Sequence, residues 1–228
     1  MAIYGIADLH LDSIGDKPMD IFGKEWINHE ENIFNSWKKK IKEDDIVLIP
    51  GDISWALKLK DAIIDLEKID KLPGYKIISK GNHDYWWETK SKLEGLELKS
   101  IHFLYNDGYE YENIGIAGTR GWCSKDSDDF REKDNKIFNR ELNRLKLSLD
   151  QIKNLSKKIV MIHYPPFNSD GTPNEFIDIM NQYNVEICVY GHLHADGHRY
   201  VREGIYKDIN CICIASDFIK FSPIKILD

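Results

Sequence analysis

The sequence is short of the features that mark membrane, secreted and nucleic-acid-binding chains. It has no apolar run near the roughly twenty residues that a bilayer-spanning helix needs. Nothing after Met1 has the layout of a signal peptide, because a short strand-like run leads almost at once to Asp8. There is no C-x-x-C pair, and only four cysteines occur: Cys123, Cys188, Cys211 and Cys213. Cys211 and Cys213 stand two apart in an alternating run, so one face of a strand carries both and they cannot easily bridge. Free buried thiols in a reducing compartment are the expectation, and the cytoplasm is the expected location. A basic surplus is also missing. Lys plus Arg is 31 against 38 for Asp plus Glu, a formal net charge of −7. That balance repels duplex nucleic acid and argues against a nucleic-acid partner. No linker, low-complexity tract or internal repeat divides the chain.

What is present suits one folded unit. The chain has 228 residues, 42% of them apolar, enough to bury a substantial core. A single domain spanning 1–228 is the simplest division. Short β-rich runs alternate with amphipathic stretches. Strands are expected at Ala2 to Ala7, Ile46 to Pro50, Tyr75 to Ser79, Ile159 to Ile162 and Val185 to Tyr190. Helices are expected near Glu25 to Lys40, Ala56 to Leu72 and Tyr85 to Leu93. The strongest helix signal is Asp129 to Leu155, where apolar residues recur at three, four or seven and Asp128 is placed to cap the start. The tail from Tyr200 to Leu227 reads as strands, with turn signals at Gly204 and Pro223. Such alternation predicts an α/β protein with at least one largely parallel sheet.

Five of the strand-like runs end in polar groups suited to a metal. They lead to Asp8-Leu9-His10, to Gly51-Asp52, to Gly81-Asn82-His83-Asp84, to His163 and to Gly191-His192-Leu193-His194. Ligands of open α/β sheets gather beyond the carboxyl ends of the strands, so parallel strands would collect these groups at one edge. Five of the eight histidines fall in these motifs. Imidazole mixed with carboxylate favours Mn, Fe, Zn, Co or Ni, whereas calcium wants oxygen. Residues two apart in an extended segment point the same way, which suits Asp8 with His10 and His192 with His194. Gly51, Gly81 and Gly191 let the backbone turn where it meets crowded side chains. Each motif alone has an ordinary reading. D-x-H is common, Gly-Asp is a turn, and Asn82 or Asp84 could shape a turn or cap a helix. Their joint order after apolar runs is far more specific.

The ordered set D-x-H, GD, GNHD, H and GHxH resembles the calcineurin-like metallophosphoesterase superfamily. The likeness runs from Asp8 to His194 and includes all five blocks. It implies a four-layer αββα sandwich, with two mixed β-sheets face to face and helices outside. It also implies a ligand set of two divalent ions: Asp8, His10 and His194 on one, Asn82, His163 and His192 on the other, and Asp52 bridging both. His83 is then not a ligand and faces the substrate phosphate or the leaving group. Two cations roughly 3.5–4 Å apart can share a hydroxide that attacks phosphorus, and His83 can protonate the departing alkoxide. The expected substrate is a small-molecule phosphomonoester or phosphodiester.

Several residues near the motifs carry two readings. Asp84 either orients a histidine in the reaction or caps the following helix. Arg120 either contacts a phosphate or forms a surface salt bridge. Asp12 is either a support for His10 or a solvated loop residue. Trp55, Trp86, Trp87, Trp122 and Tyr164 either wall the substrate site or pack against helices, with packing favoured. His198 is a candidate for the rim. Two other functions compete: a catalytically silent metal-binding scaffold and a nuclease. The complete set of seven ligand positions and His83 argues against the scaffold. The acidic balance argues against the nuclease, since Lys38 to Lys40 and Lys157-Lys158 read as solvated faces.

Overall fold

The computed structural model describes residues 1–15 and 17–228. The first strand, β1 (Ile3–Gly5), leads through two 3-10 turns (Met19–Phe22 and Lys24–Trp26) to α1 (His29–Lys40). Then come β2 (Ile46–Pro50), α2 (Leu59–Asp70), β3 (Tyr75–Ser79), the short α3 (Lys90–Glu94) and β4 (Ile101–Phe103). The second half runs β5 (Tyr109–Tyr111), β6 (Ile114–Thr119), α4 (Asp134–Gln151), β7 (Lys157–Ile162), α5 (Glu175–Gln182) and β8 (Ile187–Tyr190). It closes with β9 (Gly204–Tyr206), β10 (Ile209–Cys213) and β11 (Ile224–Leu227).

Two mixed sheets result. One has the order β11-β1-β2-β3-β4 and the other β5-β6-β7-β8-β10-β9. In each, the central strands are parallel and antiparallel partners stand only at the edges. The central strands are apolar on both faces, as strands covered on both sides must be. Ile46, Leu48, Ile77, Ile159, Met161 and Val189 fill the space between the sheets. The alternate residues Val47, Ile49 and Ile78 meet Ile33 and Trp37 of α1 and Leu66 and Ile69 of α2. On the opposite outer face, Val160, Ile162, Cys188 and Tyr190 meet Phe138 and Leu145 of α4 and Phe176 of α5. The layers are therefore helix, sheet, sheet, helix, as the resemblance implied. Among the described residues no helix is long and apolar enough to cross a membrane.

Element boundaries differ from the periodicity at polar residues that take other roles. The first helix begins at His29 rather than Glu25, because Asn28 sits in the left-handed region at φ 57°. The helix expected at Asp129 begins at Asp134, whose carboxylate accepts the Arg131 N–H at 2.8 Å, so Asp128 does not cap it. Tyr85 to Leu93 is helical only from Lys90. The tail turns at Lys207 and Asp208, both at positive φ, rather than at Gly204.

Candidate metal centre

The same edge of both sheets carries the polar motifs. Asp8, Asp52 and Asn82 lie beyond β1, β2 and β3, while His163 and His192 lie beyond β7 and β8. Backbone bonds knit the edge together: Asp8 N–H donates to Gly51 O at 3.0 Å, Gly191 N–H to His163 O at 3.2 Å, and Ala7 N–H to Ile214 O at 2.7 Å. The turns there are tight. Asp8, His10, Asp52 and His192 all adopt positive φ, of 59°, 45°, 52° and 73°. Non-glycine residues rarely do so, and such strain gathers at functional sites. Gly51 needs its own φ of +93°, and a Cβ on Gly81 would meet Asp52 Oδ1 at 2.1 Å.

All seven predicted ligand positions converge. On one side His10 Nε2 is 3.7 Å from Asp52 Oδ2, and His194 Nε2 is 3.4 Å from Asp8 Oδ1. On the other, Asn82 Oδ1 is 2.6 Å from His163 Nε2 and 2.9 Å from His192 Nδ1, and His163 Nε2 is 3.5 Å from Asp52 Oδ2. Asp8, His10 and His194 form one cluster that could hold a metal; Asp8, Asp52 and His163 form another. Asp52 lies between the two sides.

Proton accounting shows what the cluster lacks. His163 Nδ1 is 3.0 Å from the Pro50 carbonyl, which can only accept, so Nδ1 carries the proton. Burial holds the ring neutral, its pKa lowered to about 3. Its Nε2 is then a bare lone pair aimed at the Asn82 and Asp52 oxygens. Burial, with His163 beside it, likewise holds His192 well below the usual imidazole value, and burial with His194 beside it does the same for His10. Burial and the neighbouring Asp84 and Asp8 raise the Asp52 carboxyl. Lone pairs crowded together without protons are what a divalent cation satisfies, and the mixed N/O donors suit first-row metals.

His194 is supported from behind. Its Nδ1 donates to Asp217 Oδ1 at 2.8 Å, leaving a buried Nε2 that has no hydrogen-bond partner among the described residues. Burial pushes this imidazole down, but the Asp8 and Asp217 carboxylates overcome that and lift its pKa to about 10. A cation facing Nε2 would take the place of that proton. Asp217 also accepts the Ala195 N–H at 3.0 Å and stands 3.1 Å from His198 Nε2. Asp217 was absent from the predicted site, although it follows the parallel strand β10 and obeys the same strand-end rule. His29 and Trp26 were also missed as neighbours. His29 Nε2 lies 3.2 Å from the His10 carbonyl, and Trp26 packs edge-on against His10 and His194 at 5.8 and 5.5 Å.

The remaining candidates fall around this centre. The half-buried His83 ring lies 4.5 Å from Trp55 and 5.8 Å from His10, and its backbone N–H donates to Asp52 Oδ1 at 2.8 Å. Asp84 neither orients an imidazole nor caps a helix. It is fully buried and accepts from the N–H groups of Asp52, Ile53 and Gly81 at 2.9, 2.9 and 2.7 Å, and from Trp86 Nε1 at 3.0 Å. It ties the Asp52 loop to the Asn82 loop. Asp12 closes its own loop, accepting from Gly15 and Lys17 N–H groups. Trp55 stacks on His10 at 4.8 Å and Tyr164 lies on His192 at 4.1 Å, while Trp86 is buried and Trp87 packs on Phe103. Arg120 is not exposed on the surface. Its side chain is 15% accessible, lies over Trp122 at 4.4 Å, and points to the buried Glu141 at 3.6 Å.

A family model for calcineurin-like phosphoesterases matches residues 1–196. The chain belongs to that family. Comparison with curated proteins gives no match. Solved structures share the fold at low identity. A protein of unknown function from Aquifex aeolicus is 19% identical, with a TM-score of 0.50, covering 98% of this chain and 95% of its own. The phosphopantetheinyl hydrolase of Mycobacterium tuberculosis is 12% identical, with a TM-score of 0.54, covering 94% of this chain and 88% of its own. Asp217 and strands β9 to β11 lie beyond the matched segment.

Proposed function

We propose that this calcineurin-like phosphoesterase hydrolyses a small-molecule phosphomonoester or phosphodiester at a two-metal centre. The observation that carries the reading is the convergence of the seven donors, above all His163, whose Nδ1 faces the Pro50 carbonyl at 3.0 Å so that its Nε2 faces the Asn82 oxygen at 2.6 Å. One ion would be held by Asp8, His10 and His194, the other by Asn82, His163 and His192, with Asp52 shared. Two divalent cations, of Mn, Fe, Zn, Co or Ni, supply Lewis acidity to the phosphoryl oxygens and lower the pKa of water towards neutrality. The chain does the rest. Pro50 and Asp217 hold the Nδ1–H groups of His163 and His194, so each ring turns its Nε2 inward, where a cation would take the place of any proton on His194 Nε2. Trp26 and Trp55 exclude water from the back of His10. His83 is held at the mouth by Asp52 and Trp55, and in its imidazolium form, which burial and Lys17 disfavour, it would give its proton to the departing alkoxide oxygen and be left neutral.

The reading takes residues 1–228 as one domain, because β10 and β11 complete the two sheets. Four free thiols support a reducing, cytoplasmic setting. The test is a screen of aryl phosphomonoesters and diesters with each divalent ion. Hydrolysis should need the ion, stop with chelator and disappear in Asp52→Asn. Full turnover with chelator present would refute the proposal.

A further inference from the structure

Two clefts of opposite charge flank the centre. The one beside His192, about 390 Å³, is lined by Asp126, Asp128 and Asp129 against a single Arg202. The other, about 290 Å³, opens between the ends of β3 and β6 and carries Lys80, Arg120 and Arg144. Among the described residues one carboxylate contacts two of these cations, Arg120 and Arg144, and also stands 3.6 Å from Arg140 Nε. Glu141 is fully buried; it accepts from Thr119 Oγ1 at 2.7 Å and Arg144 Nη1 at 2.8 Å, and stands 3.6 Å from Arg120 Nη2. Glu88 also lines the cleft, but it pairs with Lys92 at 3.2 Å. The cleft therefore holds unneutralised positive charge in a chain whose net charge is −7.

Part of its donor capacity is unused. Among the described residues Arg120 Nε is buried without a hydrogen-bond partner, and the guanidinium carbon lies 4.4 Å from the centre of the Trp122 ring. Among the described residues Lys80 forms no ion pair with a carboxylate, and its charged neighbours are Arg120 and Arg144 together with the buried Asp84 and Glu141. Buried donors left unpaired are costly, and an oxyanion satisfies them. The cleft adjoins the centre. Lys80 is two residues from Asn82, and the Arg120 carbonyl accepts the N–H of Tyr164, next to His163, at 3.0 Å.

We propose that Lys80, Arg120 and Arg144 form an anion subsite for a second phosphoryl group of the substrate, distinct from the group that is cleaved. This rests on the phosphoesterase reading. Guanidinium groups suit such a group because their planar forks match its oxygens. Substrates with two phosphoryl groups would span the centre and this cleft, while the acidic cleft would repel them.

The test compares kcat/KM for butyl phosphate and butane-1,4-diyl bisphosphate on the metal-loaded full chain. The bisphosphate should be preferred by about tenfold or more, and that preference should collapse in Lys80→Gln and in Arg144→Gln. Lys80→Gln removes no partner of Glu141, and a ratio on one enzyme cancels any general loosening of the fold. Equal values in the wild type, or a preference that survives both substitutions, would overturn the subsite. So would inorganic phosphate that competes equally with both esters in the wild type and loses that competition in Lys80→Gln, which marks a free-phosphate site. If neither ester is hydrolysed, the phosphoesterase reading fails separately. Calorimetry of inorganic pyrophosphate with the chelated chain then reads the cleft alone: binding lost in Lys80→Gln keeps an anion site, and no binding removes it.

Discussion

Replacing Asp84 by Asn should unfold the chain more readily while changing almost nothing in shape. The carboxylate takes two strong bonds on each oxygen. Oδ2 accepts from the N–H groups of Asp52 and Gly81 at 2.9 and 2.7 Å; Oδ1 accepts from Ile53 N–H at 2.9 Å and Trp86 Nε1 at 3.0 Å. An amide keeps one oxygen and turns the other into a donor. Whichever way it lies, at least two buried N–H groups lose their acceptor. Each such loss costs about 1–3 kcal/mol, so the gross cost is about 2–6 kcal/mol. Burial raises the Asp84 carboxyl, so removing the buried charge offsets part of this. A net loss of about 2–4 kcal/mol remains, a large share of the roughly 5–15 kcal/mol that holds a domain folded. Urea unfolding of chelated protein reads it without interference from metal binding. The midpoint should fall with the slope unchanged. A loss under about 1 kcal/mol would show that the tie between the two loops is not what holds them.

Two other predictions follow from the same geometry. His83→Ala should slow hydrolysis by about 10²- to 10⁴-fold with metal content intact, the range for a lost general acid; loss of metal would make His83 a ligand instead. The metal-free chain should be most stable near pH 6.5. His163 is lowered by burial to about 3 from the ordinary 6.5, and burial holds His10 and His192 well down too. Below 6.5 the unfolded chain takes these protons first, so stability falls on acidification, by about 1.4 kcal/mol per pH unit for each imidazole. Asp52 and Asp84, raised by burial, act in the opposite sense, but three imidazoles outnumber two carboxyls. Above 6.5, His194 loses the stabilisation that its pKa of about 10 represents. Thermal melts of chelated protein across pH 4–10 check the maximum; stability rising steadily to pH 9 would contradict it.

The parts of the fold that were legible are those with a single physical cause. Doubly covered parallel strands must be apolar throughout, so β2, β3, β7 and β8 stood out as short runs, and the polar group after each pointed to the centre. Other features depend on partners distant in the chain. Asp217 follows a strand as the other site groups do, but its tail reads only as strands, and nothing local pairs it with His194, 23 residues away. Asp84 sits where a helix cap belongs, yet its oxygens serve loops more than 30 residues upstream. Glu141 occupies a polar position of an amphipathic helix and is fully buried by Arg120, Arg144 and Thr119. Arg120, read from sequence as a phosphate contact or a surface salt bridge, accordingly sits largely buried beside Glu141 rather than in a surface ion pair.

The most direct test of the whole account is the metal content of the purified, reconstituted chain, measured by elemental mass spectrometry beside Asp52→Asn. Two equivalents of a first-row divalent metal in the wild type, with marked loss in the variant, is the predicted result. A wild-type chain that retains no metal, or a variant that retains as much as the wild type, would contradict a shared carboxylate between twin ions.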